Sequence, residues 1–104
     1  MCKYDEVKLV ELAGRPFKLR YTVNSLCALE DRAGMPLDRL MDRQFSATRL
    51  LLWAALTEEQ PELTVRDVGA LIGECVAGGG CLEDIVDLCA AGLRAAGFFG
   101  GEEK

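Results

Sequence analysis

Two kinds of hydrophobic spacing divide the chain. Near the start Phe17, Leu19 and Tyr21 alternate with Lys18, Arg20 and Thr22, the period-two pattern of a half-buried strand. A preceding run, Val7–Ala13, alternates poorly, so it predicts a strand of uncertain register. Gly14-Arg15 joins the two: Gly14 supplies the positive φ of a tight turn, and Pro16 suits an edge or a strand start. A lone hairpin is marginal in water, so its apolar face is expected to lie on helices.

From about Val23 the spacing becomes helical. Leu26, Leu29 and Ala33 share a face, with Thr22 or Asn24 as N-cap and Gly34 as the residue beyond the C-terminus. Leu37, Leu40 and Met41 predict a short helix of about two turns. Ser46 then opens SATRLLLWAALT, in which no side chain from Leu50 to Leu56 is polar except for the indole N–H of Trp53. A helix that is apolar nearly all round has to be enclosed, and this run is far short of the roughly 20 residues of a membrane span. It is read as the central helix, with Ser46 as its N-cap and Trp53 in the core.

The polar stretch Glu58–Leu63 is broken by Pro61, and Thr64-x-x-Asp67 reads as a capping box. Val65, Val68, Leu71, Ile72, Cys75 and Val76 predict the helix behind it, ended by Gly78-Gly79-Gly80, a flexible joint or a tight reversal. A last helix, about Cys81 to Ala96, carries Leu82, Ile85, Val86, Cys89, Leu93 and Ala96 on one stripe. Glu83, Asp84 and Asp87 crowd its start and Arg94 its end, which complements the helix dipole. Gly97 stops it. The fold class is therefore α+β: an N-terminal β-hairpin packed on a bundle of about five mostly short α-helices. One domain over 1–104 is expected, with the hairpin at about 7–22, the helical part at about 23–97 and a loose tail at 98–104.

Composition narrows the function. Half of the 104 residues are hydrophobic, enough for a core without disulfides or metals. The net charge is −5, with no run of Lys or Arg, which argues against nucleic acid as a partner because phosphate contacts need clustered cations. The first residues lack the apolar region of a signal peptide, so a cytoplasmic protein with no membrane contact is the expectation. The chain has no histidine, the commonest general base and transition-metal ligand.

The five cysteines, Cys2, Cys27, Cys75, Cys81 and Cys89, are odd in number and lack the spacing of a structural zinc site. Cys75 and Cys89 fall on apolar stripes and Cys27 flanks a third, so reduced, metal-free and mostly buried thiols are expected. The carboxylate pairs Glu30-Asp31, Glu58-Glu59 and Glu83-Asp84 are adjacent and diverge by about 100° on a helix, which suits solvated faces better than acid–base work. Gly69-x-x-x-Gly73 suits close helix packing or is simply a tolerated cost, and Gly78–Gly80 lacks the Lys-Ser/Thr of a phosphate loop. No catalytic, metal or cofactor-binding residue is assigned, and no cofactor is expected. Phe98 and Phe99, two large rings beyond the last helix stop, are the candidate partner-binding residues.

The order of these motifs resembles a family. The hairpin with Gly14 and Phe17-Lys18-Leu19-Arg20-Tyr21 is followed by Leu26-x-x-Leu29-Glu30-x-x-x-Gly34. Leu37-x-x-Leu40, the Leu51-Leu52-Trp53-Ala54-Ala55-Leu56 helix, and Leu63-Thr64 leading into Val68 and Leu71-Ile72 come next. This pattern, from Arg15 to Gly73, is similar to the tail assembly chaperones of long-tailed bacteriophages and the related tail-cluster proteins of gene transfer agents and prophages. The resemblance implies a non-enzymatic protein that acts in the bacterial cytoplasm during tail assembly and is absent from the mature particle. Its implied partners are a tape measure protein and the tail tube protein recruited around it, and self-association stays open. The family often makes a longer product by ribosomal frameshifting. The glycine triple and the cysteine-bearing last helix have no counterpart in the family pattern. The alternative is a small intracellular helical adaptor or regulatory protein, which an unrelated gene neighbourhood would favour. An enzyme would need a nucleophile or a metal, and only the cysteines offer either.

Overall fold

The computed structural model describes residues 8–40 and 42–95. Strands β1 (Lys8–Leu12) and β2 (Arg15–Leu19) pair antiparallel, with Val10 opposite Phe17 and Leu12 opposite Arg15. The turn is therefore Ala13-Gly14 rather than Gly14-Arg15. Both residues take positive φ, 53° and 78°, as a two-residue hairpin loop requires to match the strand twist. Register puts Val10, Leu12, Phe17 and Leu19 on one face; Leu12 and Leu19 are buried and Leu9, on the other face, is exposed. The second strand stops at Leu19 instead of reaching Thr22. Beyond it the Arg20 N–H turns away from β1 and donates to the Ala55 carbonyl at 2.8 Å.

Helix α1 (Val23–Ala33) starts on a complete capping box. The Thr22 hydroxyl accepts from the Ser25 N–H and the Ser25 hydroxyl accepts from the Thr22 N–H. Gly34 closes the helix at φ 72° and its N–H returns to the Glu30 carbonyl, the left-handed stop that glycine makes cheap. The predicted two-turn helix is only α2 (Leu37–Leu40), a single turn held by Pro36 carbonyl contacts.

Helix α3 (Gln44–Thr57) begins two residues before Ser46, so Ser46 is not its cap. The N-cap position is Arg43, which makes no side-chain cap and donates its N–H to the Leu40 carbonyl. The turn out of α2, not a capping side chain, sets where α3 starts. Leu50, Leu51, Leu52, Ala54, Ala55 and Leu56 are all buried. Three successive leucines span about 200° of the helix surface, so neighbours are required on several sides. They are α1, α4 (Val65–Ala77), α5 (Leu82–Ala95) and β2. Burial of each leucine contributes about 1.5–3 kcal/mol, which makes α3 the centre of the core. Trp53 is only half-buried, with the Arg32 guanidinium 5.6 Å from its ring centre.

Helix α4 has the predicted Thr64–Asp67 capping box, both bonds at 3.0 Å. The glycine triple is a tight reversal: the N–H groups of Gly78 and Gly80 return to the carbonyls of Glu74 and Cys75, and Gly79 takes φ 106°. The described helices are thus four of eleven to fourteen residues and the single turn α2. None is long and apolar enough to cross a membrane.

Candidate docking surface

A groove lies between the N-terminal parts of α3 and α5. Its α3 wall is Gln44, Ala47, Thr48 and Leu51, and its α5 wall is Glu83, Val86 and Asp87, with Asp42 from the turn between α2 and α3; the hollow is about 620 Å³. The α3 residues are spaced i, i+3, i+4 and i+7, a single stripe about 10.5 Å long. Thr48 adds no polarity to the floor, because its hydroxyl donates back to the Gln44 carbonyl at 2.8 Å. Ala47, Thr48 and Leu51 are themselves buried beneath the groove, so its accessible lining is Val86 and Gln44 with an acidic rim of Asp42, Glu83 and Asp87.

On the far side of the same α3 stripe stands Phe45, 75% exposed. A second hollow of about 270 Å³ opens behind it, lined by Arg49 together with Ile72 of α4 and Leu82 of α5. Ile72 and Leu82 are half-buried. Phe45 therefore forms a ridge between an acidic-rimmed groove and a hollow that mixes Ile72 and Leu82 with Ser46 and Arg49. Single exposed hydrophobic residues are ordinary, but a large exposed ring beside two concavities is a candidate contact surface. Sequence reading assigned Phe45 no role because it placed the residue ahead of the helix. The signal available was an unsupported phenylalanine five positions before the apolar run.

The other predicted residues fall elsewhere. Phe98 and Phe99 lie outside the described residues, as do Cys2, Met41 and Ala96. The thiols are not mostly buried: Cys27 and Cys81 are exposed, Cys75 is half-buried and only Cys89 is enclosed. Cys27 follows Leu26 and is rotated about 100° from it, enough to leave the buried face. No two of these cysteines form a disulfide among the described residues, and no three Cys, Asp or Glu side chains there are placed so as to hold a metal ion. Burial pushes the Cys89 thiol up from 9.0 to about 11, with a hydrogen bond from Tyr21 opposing the rise. A thiol held protonated at neutral pH is a poor nucleophile.

The carboxylate pairs do not converge on one point. Glu30, Asp31, Glu58, Glu83 and Asp84 are exposed. Asp84 accepts from the Cys81 N–H at 3.4 Å, near the start of α5. Glu59 differs: it is half-buried and pairs with the Arg20 guanidinium at 2.9 Å. Its role is to fasten the end of α3 to the end of β2. Comparison with protein-family models, with curated proteins and with solved structures finds no match to this chain.

Proposed function

We propose that this protein is a non-enzymatic tail assembly chaperone of a bacteriophage, prophage or gene transfer agent. It binds a helical segment of a tape measure protein and helps recruit tail tube subunits around it. The partner is named by the order of motifs from Arg15 to Gly73, which resembles that family. A binding role is supported by one observation above all: the exposed Phe45 ridge between two hollows. Such patches, rimmed by polar residues, are what protein-binding surfaces present. The protein works in the bacterial cytoplasm and leaves before the particle is complete, so its contact with the partner is reversible. A small apolar centre with a polar rim suits that better than a large dry interface.

Co-expression with the neighbouring tail genes, followed by pull-down, tests the proposal. The tape measure protein should be retained by the chaperone, and purified particles should lack the chaperone. Failure to retain either tail protein, together with the chain's presence in mature particles, would overturn the reading.

A further inference from the structure

We infer that the groove between α3 and α5, with the Phe45 ridge beside it, is a docking site for a basic amphipathic helix of a partner protein. This rests on the binding role proposed above and adds where the partner sits and what it looks like. The size fits: the α3 stripe from Gln44 to Leu51 is about 10.5 Å long, the rise of two helical turns. The chemistry of the walls then selects the helix. Val86, half-buried, and Phe45, exposed, are the apolar side chains a partner can reach, above the enclosed Ala47 and Leu51.

The rim selects the charge. Asp42, Glu83 and Asp87 stand around the groove, and none of the described residues lining it is basic. None of the three carboxylates forms an ion pair among the described residues. Glu83 lies in the first turn of α5 and so already complements the helix dipole, whereas Asp42 and Asp87 lie outside any first turn. A partner helix with an apolar stripe flanked by Lys or Arg meets floor and rim together. An acidic flank would be repelled, and the net charge of −5 acts in the same sense at long range. The second hollow carries Arg49, so a basic flank is favoured beside Glu83 and Asp87 of α5 rather than beside Arg49.

The test uses the full chain and two synthetic helical peptides of about fifteen residues. Both carry the same leucine stripe, flanked by Lys in one and by Glu in the other. Backbone NMR shifts should move at Gln44, Thr48 and Val86 with the Lys peptide and not with the Glu peptide. Asp42→Asn/Asp87→Asn should weaken binding by about tenfold, and so should raising salt from about 50 to about 500 mM. Phe45→Ser should weaken it as well without altering the salt dependence. Equal binding of both peptides, or shifts confined to another face, overturns the inference. So does a pull-down in which Asp42→Asn/Asp87→Asn and Phe45→Ser retain the tape measure protein as the unmodified chain does; that result leaves the assembly reading standing. Lys-peptide binding at the groove without tape measure retention keeps the docking site and removes the assembly reading.

Discussion

The Tyr21 hydroxyl donates a 2.7 Å hydrogen bond to the Leu51 carbonyl inside the core. This joins the chain just after the hairpin to the middle of the central helix. The buried Cys89 thiol of α5 lies close enough to this hydroxyl to influence its ionisation. Leu51 is also the last residue of the groove stripe, and the contact therefore fixes the floor of the candidate docking surface from behind.

Removing that hydroxyl should be felt as stability. Tyr21→Phe keeps the ring and removes the buried donor to the Leu51 carbonyl, so a loss of about 1–2 kcal/mol is expected. Urea denaturation measures it. An unchanged midpoint would mean that the hydroxyl merely fills space.

The central place of α3 predicts a contrast between two positions. Leu52 is fully buried and Arg66 is exposed on α4. Leu52→Ala should cost about 2–5 kcal/mol, as deletion of buried methyl groups does. Arg66→Ala should cost well under about 1 kcal/mol, as surface changes do. Equal small losses in the two melts would make α3 a surface element.

Two glycines predict opposite signs. A Cβ at Gly92 would lie 2.6 Å from Leu19 Cδ2 and 3.3 Å from Tyr21 Cε2, whereas a Cβ at Gly73 meets nothing within 4 Å. Leu19 is buried and has little room to yield. Gly92→Ala should therefore destabilise by about 1–3 kcal/mol, while Gly73→Ala should stabilise α4 by about 0.5–1 kcal/mol. Thermal melts that move in the same direction would refute the close approach of α5 to the hairpin.

These contrasts show where the sequence is legible and where it is not. Caps are local: Thr22 with Gly34 and Thr64 with Asp67 can be read from spacing, because each satisfies orphan amides or carbonyls within a few residues. The alternation around Phe17 is equally local. The start of α3 is not, since Ser46 is a good cap by type and loses to the turn that α2 hands on at Leu40 and Arg43. The candidate surface was illegible for the same reason. Asp42 and Phe45 lie outside any periodic stripe and Asp87 is far along the chain from both, and only the packing of α5 on α3 brings Asp87 near them. Gly92 gave no signal because a close approach depends on which side chain arrives opposite it.

Alkaline pH should weaken the fold through Cys89 and Tyr21. The Cys89 thiol is held up from 9.0 to about 11 by burial, and Tyr21 is held well above 10.0 by burial, then by the Cys89 charge and hydrogen bond. A group with a raised folded-state pKa contributes its full stability below the unfolded value and loses it as pH rises through the folded one. For Cys89 that window runs from about pH 9 to about pH 11, with about 2–3 kcal/mol at stake. Denaturant melts across it should show the advantage of the unmodified chain over Cys89→Ala narrowing. Parallel curves would mean that the thiol ionises as readily folded as unfolded.

The last prediction concerns Gln60, which lies in a stretch that reads as a plain polar connection. Its side-chain amide behaves as an extra residue on the edge of β2. The Oε1 accepts from the Lys18 N–H at 3.0 Å, and the Nε2 donates to the carbonyls of Lys18 and Leu56 at 3.0 and 2.8 Å. With the Arg20–Glu59 pair beside it, this fastens the hairpin to the C-terminal end of α3. Gln60→Glu is nearly isosteric but replaces the donor with a second acceptor, so a carboxylate then faces two carbonyls. A loss of about 1–3 kcal/mol is expected at neutral pH, larger than for Gln60→Ala, whose vacated carbonyls water can reach. Acid should recover part of the Glu loss, since a protonated carboxyl donates again. Hydrogen exchange at the Lys18 amide should quicken in both variants. Equal losses in the two, with Lys18 exchange unchanged, would mean that the amide makes no directional contact with the strand.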